Sequence, residues 1–139
     1  LLDNKEKVSG LSIHEPVGFI EDVLINYLDF SPLDETIMLH VTCSSRTMGL
    51  AVKMQKLAER CSTNVIIPED IQCCGFAGDK GFTTPELNEN ALASLKTQVP
   101  KNCNTGYSNS RTCEIGLSHH SGIDYQSIIY LVDKATTVK

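Results

Sequence analysis

Several absences in the sequence exclude whole classes of function. The chain has no tryptophan, only 6% aromatic residues, and 12 basic against 17 acidic residues, which gives a net charge of -5. Because a nucleic-acid partner requires a basic surface that neutralises phosphates, this balance argues against DNA or RNA binding. No apolar run approaches the roughly 20 residues of a membrane-spanning helix, and the N-terminus has no signal-peptide pattern. The sequence therefore predicts neither a nucleic-acid partner nor a membrane span.

The length of 139 residues corresponds to one domain with a sizeable core. Residues 1–15 are polar and unpatterned, which predicts a flexible lead-in to a single domain over 16–139. The chain begins Leu1-Leu2-Asp3 rather than with methionine, and this suggests a segment of a longer polypeptide. We therefore expect further functional groups to lie in other domains of that polypeptide.

Apolar periodicity predicts helices that alternate with short buried strands. Short strands that alternate with helices imply an α/β fold with a short, largely parallel sheet flanked by helices. Functional sites in such folds lie beyond the carboxyl ends of the strands. The pattern predicts strands over 36–42, 64–68 and within 101–108, and helices over 16–28, 47–60, 85–99, about 113–118 and 125–135.

Six cysteines are the strongest chemical signal in the chain. Without an export signal they favour a reducing compartment and metal or redox use of the thiols over a disulfide scaffold. Cys73 and Cys74 are adjacent and precede Gly75, which predicts a turn that directs both sulfurs to one centre. Cys43 ends a predicted strand and Cys113 begins a predicted helix. Because structural zinc sites and iron–sulfur clusters both commonly take four thiolates, we expect these four cysteines to bind a metal.

Five other residues have a structural interpretation, and for four of them a functional alternative stays open. Cys61 continues the apolar face of a predicted helix and is expected in the core. Cys103 is either a strand residue or an additional ligand. His40 is interpreted first as a core histidine, with a hydrogen bond to the cysteine loop as the alternative. The pair His119-His120 is expected at a helix end, where it interacts favourably with the helix dipole, with a substrate or acceptor contact near Cys113 as the alternative.

The arrangement of Cys43, then Cys73-Cys74-Gly75, then Ser110-x-x-Cys113 resembles the cysteine-rich CCG domain. That domain occurs in heterodisulfide reductases and in the iron–sulfur subunits of glycolate oxidases. The sequence around the cysteines is most similar to the C-terminal domain of FAD/iron–sulfur-dependent D-lactate dehydrogenases, and the resemblance runs from about Thr36 onward. Ser110 departs from the family pattern, which has a cysteine there. The loss of one sulfur leaves a conventional cluster such as [4Fe–4S], or zinc, as the centre that the resemblance implies.

The resemblance implies a metal-binding electron-transfer domain with an iron–sulfur cluster or zinc on Cys43, Cys73, Cys74 and Cys113. FAD would lie in another domain of the parent flavoprotein and oxidise D-lactate or a related 2-hydroxy acid there, so the isolated domain is not expected to be catalytic. The implied partners are the FAD-binding and ferredoxin-like domains of the parent and an electron acceptor such as a quinone or a cytochrome. The implied location is the cytoplasm or the periphery of the inner membrane.

Two other functions stay open at the level of sequence. Cys73 and Cys74 could form a strained, easily reduced vicinal disulfide and serve as a thiol switch. Alternatively, zinc could hold the fold while the surface docks partner domains.

Overall fold

The structure, a computed structural model, describes residues 12–139, so most of the lead-in predicted over 1–15 lies outside the described residues. The strands in chain order are β1 (Leu28–Phe30), β2 (Leu33–Leu39), β3 (Ser62–Ile66), β4 (Cys103–Ser108), β5 (Asp124–Ser127) and β6 (Thr136–Val138). Four of them form a parallel sheet in the order β3-β2-β4-β5, and β1 pairs antiparallel with β6. The predicted α/β fold with a short, largely parallel sheet is therefore confirmed.

Seven α-helices connect and cover the strands. They are α1 (Pro16–Asp22), α2 (Cys43–Thr47), α3 (Ala51–Cys61), α4 (Pro85–Ala91), α5 (Leu95–Gln98), α6 (Arg111–Ser121) and α7 (Ile128–Ala135) within the described part of the chain. Their ends follow local chemistry: Pro85 begins α4, the Ser127 hydroxyl caps α7, and Gly122 ends α6 with a φ of 79°. Two short 3-10 turns lie at Leu24–Tyr27 and Lys80–Phe82.

Helices cover both faces of the sheet and form two separate cores. Along β2, consecutive residues are buried on opposite faces because side chains alternate in a strand. Ile37 and Leu39 pack on the face covered by α1, α3 and α7, while Met38 packs on the face covered by α5 and α6. The second core contains Cys74 and Cys113, so two of the predicted ligands also contribute to the packing of this face.

Several sequence-based boundaries were wrong. The strands predicted over 36–42 and 64–68 are Leu33–Leu39 and Ser62–Ile66, and the helix predicted over 47–60 begins at Ala51. The helix predicted over 16–28 ends at Asp22, because residues 28–30 pair with the distant β6. The helix predicted over 85–99 is broken after Ala91 into α4 and α5. The helix predicted from 125 begins at Ile128, because Asp124–Ser127 pairs with β4. The helix predicted to end near 118 continues to Ser121 and includes His119 and His120.

Within residues 12–139, no helix has both the length and the apolar character needed to cross a bilayer.

Candidate metal-binding site

The strand order creates a crevice at the carboxyl edge of the sheet. The chain passes from β2 to β3 on one side and then returns across β2 to β4 on the other side. The chain segment that follows β2 therefore leaves toward one face of the sheet, and the segment that follows β4 leaves toward the other face. A crevice opens between the carboxyl ends of these two neighbouring strands. Ligands of open α/β sheets bind at such a switch point, outside the carboxyl ends of the strands.

All four predicted ligands lie on segments that leave this edge. Cys43 is the first residue of α2, after β2. Cys73 and Cys74 lie in the long loop after β3, and Cys113 lies in the first turn of α6, after β4. The predicted position of the cysteines at the carboxyl ends of the strands is confirmed.

Polar side chains fix the segments after β2 and β4 to each other. The Thr42 hydroxyl donates to Asn109 Oδ1 at 3.0 Å, and Asn109 Nδ2 donates to Ser45 Oγ at 2.6 Å. The Thr42 hydroxyl oxygen also accepts the Ser45 N–H at 3.2 Å and caps α2. These bonds hold the starts of α2 and α6 side by side, and thereby set the relative positions of Cys43 and Cys113.

The structure brings two of the four sulfurs into direct contact. Cys74 Sγ lies 2.8 Å from Cys113 Sγ. The neighbouring sulfurs of Cys43 and Cys74 act to raise the pKa of Cys73. None of the six cysteines, all of which lie in the described residues, forms a disulfide. The fold thus brings together sulfurs from three separate segments of the chain.

The site is buried on one side and open on the other. Cys74 and Cys113 are 3% and 7% exposed and pack into the second core. Cys43 and Cys73 are exposed to solvent. Two sulfurs are therefore held rigidly by the core, and the other two lie at the surface, where a partner can approach.

The donor chemistry of the site fits a soft metal, but the sulfur spacing requires a small adjustment. Thiolates favour zinc and iron–sulfur centres. Zinc–sulfur bonds of about 2.3 Å at tetrahedral angles separate neighbouring sulfurs by about 3.8 Å, so Cys74 and Cys113 would have to move apart by about 1 Å. Accordingly, no three His, Cys, Asp or Glu side chains among residues 12–139 are arranged around one metal position. The residues suit a soft metal in type and number, and binding would require the four sulfurs to be rearranged around it.

Cys74 carries the negative charge most readily. Its contact with Cys113 lowers the pKa of Cys74 to about 7 despite burial, and the Phe76 N–H acts in the same direction. The same contact, followed by burial, raises the pKa of Cys113. When Cys74 ionises, the shared proton therefore stays on Cys113. The pair forms a thiolate–thiol couple at near-neutral pH.

Ionisation of a second thiol in the site is opposed by the negative charge of the first. The Gly75 N–H, 3.4 Å from Cys73 Sγ, lowers the pKa of Cys73, but burial and the sulfurs of Cys43 and Cys74 outweigh it and the net pKa is raised. Like charges at one centre disfavour one another, and a bound cation would remove this penalty.

The Cys73-Cys74 turn depends on glycine and on one buried amide. Gly75 has a φ of 70°, and a Cβ at this position would collide with the Leu87 carbonyl of α4. Asn88, which is buried, donates its side-chain N–H to the Cys74 carbonyl oxygen. Gly116 on α6 leaves the space that the Asn88 amide occupies, since a Cβ there would lie 2.5 Å from Nδ2. The turn is thereby fixed to α4 and α6.

Asn88 was not recognised in the sequence, although one signal was present. An asparagine in a polar helix has no distinctive pattern. Gly116, however, interrupts the middle of an otherwise helical segment, and such a glycine often marks a close packing contact.

Ser110 lies close to the buried cysteine pair. It precedes α6 in the N-cap position, but its side chain makes no capping hydrogen bond. Its side chain acts to lower the pKa of Cys113, against the larger effects of Cys74 and of burial. The residue that replaces the cysteine of the family pattern is thus beside the site.

The remaining two cysteines lie away from the site. Cys61 is fully buried in the first core, and this prediction is confirmed. Cys103 is the first residue of β4, so it lies at the opposite edge of the sheet, roughly 16 Å along the strand from Ser108 at about 3.3 Å per residue. Its thiol contacts the Thr105 carbonyl oxygen at 3.4 Å. The additional ligand considered for Cys103 is therefore not supported.

His40 is a buried, neutral histidine, 1% exposed. Burial, and to a lesser extent Arg46, lowers the pKa of His40 to about 4. Ser108 Oγ donates to the His40 carbonyl oxygen at 3.1 Å and lies 3.4 Å from His40 Nδ1. Because the serine proton is already used, Nδ1 carries the imidazole proton and donates to Ser108 Oγ. The interpretation as a core histidine is confirmed.

No family model matches the chain, and no curated protein or solved structure gives a significant match. The relation to the CCG domain therefore stays a prediction from the cysteine motifs.

Proposed function

We propose that this chain is the metal-binding electron-transfer domain of an FAD-linked D-lactate or 2-hydroxy-acid dehydrogenase. In this proposal Cys43, Cys73, Cys74 and Cys113 hold an iron–sulfur cluster or zinc. The observation that carries the proposal is the contact of Cys74 with Cys113 at the carboxyl edge of the sheet, where Cys43 and Cys73 also lie on segments that leave the strands. The resemblance of the same cysteines to the CCG domain supplies the link to an FAD-linked dehydrogenase.

The surroundings of the sulfurs support a negatively charged metal centre. The Gly75 N–H donates to Cys73 Sγ at 3.4 Å, and the Phe76 backbone and the Ser110 side chain act to lower the pKa of Cys74 and of Cys113. Such hydrogen bonds stabilise negative charge on ligating sulfur and tune the metal. When bound, an iron–sulfur cluster would supply one-electron transfer, whereas zinc would supply a structural cross-link.

The exposed half of the site gives the direction in which a partner would approach. Cys43 and Cys73 lie at the surface while Cys74 and Cys113 anchor the site in the core. We propose that the FAD-binding and ferredoxin-like domains of the parent protein approach from the exposed side, and that a quinone or a cytochrome is the electron acceptor. The flavin in another domain would oxidise the substrate.

The spacing of the sulfurs bears on the choice between zinc and a cluster. An iron–sulfur cluster places several atoms between its ligands and requires a wider separation of the sulfurs than a single ion does. The 2.8 Å separation of Cys74 and Cys113 is nearer to the single-ion arrangement. The domain therefore needs the smaller rearrangement for zinc and the larger one for a cluster.

Metal content tests the proposal. The protein is purified without oxygen, and its iron and zinc are measured with its visible spectrum. We expect stoichiometric iron with broad visible absorption, or stoichiometric zinc without it. Cys43→Ser removes an exposed sulfur and should lower the metal content severalfold, while Cys103→Ala, a matched control away from the site, should retain it. Wild-type protein with neither metal would contradict the proposal.

A second candidate function is a thiol–disulfide switch, and the contact of Cys74 with Cys113 favours it. The pKa of Cys74 is lowered to about 7, which makes it a nucleophilic thiolate near neutral pH. With a low-molecular-weight disulfide as oxidant, the two thiols would lose two electrons and two protons and the oxidant would become two thiols. The observed contact joins Cys74 to Cys113, so the disulfide would form there rather than within Cys73-Cys74.

Thiol titration separates the two functions. A switch gains two reactive thiols when the isolated protein is reduced, whereas a metal site gains reactive thiols when a chelator is added. Mass mapping of the oxidised protein identifies the pair, which we expect to be Cys74 and Cys113.

A further inference from the structure

A second concave feature lies directly behind the cysteine turn. A cleft of about 490 Å³ is enclosed by the loop after Cys74, by α4 and by α6. Its volume lies in the range of small-molecule sites. Neither the sulfur site nor the packing of the sheet uses this space.

One wall of the cleft is aromatic and apolar. The rings of Phe76 and Phe82 meet edge to face with centroids 4.9 Å apart. Phe76 is buried, whereas Phe82 is 65% exposed and offers its ring to a ligand. Ile115, which is partly exposed, also lines the cleft. An exposed aromatic ring beside a partly exposed isoleucine favours a flat, apolar ligand.

Polar groups are confined to another part of the lining. His119 and His120 lie in the last turn of α6, with ring centroids 4.9 Å apart, and Glu89 of α4 lies near them. Burial, followed by His119, lowers the pKa of His120, so this imidazole is neutral near pH 7 and offers one donor and one acceptor. None of the described lining residues is a lysine or arginine. The lining therefore disfavours phosphate-bearing ligands and favours an uncharged ring with hydrogen-bonding oxygens.

The cleft shares a wall with the sulfur site. Asn88 lines the cleft and donates to the carbonyl oxygen of Cys74. Phe76 is two residues from Cys74, and Gly116 is three residues from Cys113 along α6. Asn88 therefore connects the lining of the cleft directly to the cysteine turn.

We infer that this cleft binds the ring of a quinone-class molecule, stacked on Phe82 with a ring oxygen hydrogen-bonded to His119 or His120. The inference rests on the proposed electron-transfer function, which requires an electron acceptor close to the sulfurs. A quinone ring is flat and uncharged and carries carbonyl oxygens that accept from an imidazole N–H. The open side of the cleft leaves room for substituents of the ring.

Duroquinone is a suitable probe, because its four methyl groups block addition of thiols to the ring. Binding to the isolated protein is followed by NMR of the phenylalanine and histidine side chains. We expect saturable shifts of Phe82, His119 and His120, and a dissociation constant about tenfold weaker in Phe82→Ala, because a stacking ring is lost. Tyr130→Ala, which removes an exposed ring of α7, is the matched control and should bind as the wild type does.

The outcomes separate this inference from the proposed function. Absence of saturable shifts, equal binding by Phe82→Ala and wild type, or preferential binding of flavin mononucleotide, a phosphate-bearing ring, would overturn the inference. Should Phe82→Ala fail to fold, Ile115→Ala gives the same comparison. If the protein contains metal but does not bind quinone, the inference about the cleft is wrong and the proposed metal site stands. If it binds quinone but contains no metal, the cleft is a ligand site and the proposed function is wrong.

Discussion

Cys74 Sγ and Cys113 Sγ lie 2.8 Å apart although 39 residues separate them in the sequence. The contact joins the loop after β3 to the first turn of α6, and it places both sulfurs in the core of one face of the sheet. Because the fold supplies this contact from elements that the core fixes independently, the sulfur site is built into the packing of the domain. Its chemistry can therefore be tested on this chain alone.

Replacing Cys113 should change the ionisation of Cys74. In metal-free, reduced protein we expect one thiolate to form with a midpoint near pH 7, because Cys113 lowers the pKa of Cys74. Cys113→Ala removes that contact and leaves burial, which raises the pKa of Cys74. Ultraviolet absorbance of the thiolate measures both titrations. An unchanged midpoint in the variant would show that another group stabilises the Cys74 charge, and Cys61→Ala is the control.

His40 should make the stability of the domain fall in mild acid. The pKa of His40 is lowered from 6.5 to about 4 in the folded state, so between these values the unfolded state binds more protons. The contribution is fully present above pH 6.5 and decreases as the pH falls toward 4, by about 3 kcal/mol in total. Denaturant unfolding at several pH values measures the slope.

His40→Asn provides the comparison for that slope. An asparagine does not titrate, and its side-chain N–H can replace Nδ1 as the donor to Ser108. We expect the variant to lose most of the dependence between pH 4 and 6.5. If the free energy of unfolding of the variant depends on pH as that of the wild type does, other groups cause the dependence, such as His120, whose pKa is also lowered.

Asn88→Ala should loosen the cysteine turn. The change removes the donor to the Cys74 carbonyl oxygen and leaves that buried acceptor without its partner, which typically costs about 1–3 kcal/mol. Chemical unfolding measures the loss, and metal retention against a chelator measures its effect on the site. Asn90→Ala, at an exposed position of the same helix, should change neither quantity. Equal behaviour of the two variants would remove Asn88 from the site.

Ser110→Cys should add a sulfur beside Cys113. The Ser110 side chain is close enough to act on the pKa of Cys113, so a cysteine there would offer a fifth sulfur to the site. We expect a higher iron content and an altered visible spectrum after reconstitution with iron and sulfide, because thiolate is a better ligand for iron–sulfur centres than a hydroxyl. Ser110→Ala is the control. Identical spectra for Ser110→Cys and Ser110→Ala would place residue 110 outside the metal shell.

The elements with strong local signals could be predicted from the sequence. The apolar runs around Ile37 and Val65 predicted β2 and β3, and the apolar stripe of α3 predicted the burial of Cys61. The four cysteines follow the predicted strands β2, β3 and β4. Since parallel strands end at one edge of the sheet, these positions predicted that the cysteines converge. The local sequence pattern was sufficient for these features because each is determined by which of its own side chains are buried.

Features that depend on distant partners could not be predicted. The pairing of β1 with β6 joins residues near opposite ends of the described chain, and β5 is too short for an alternating pattern to show. The Asn88 bond to Cys74 and the cleft beside Phe82 exist only after α4 packs against α6. The same holds for the finding that Cys113 lowers the pKa of Cys74 more than the adjacent Cys73 does.

X-ray absorption at the edge of the bound metal tests the central claim most directly, because it counts the atoms that coordinate the ion. We expect sulfur ligands at about 2.3 Å, four per zinc ion, or the sulfur and iron shells of a cluster. Cys43→Ser should reduce the thiolate contribution. A metal shell made only of nitrogen and oxygen, or a spectrum that is the same in the wild type and in Cys43→Ser, would contradict coordination by the four cysteines.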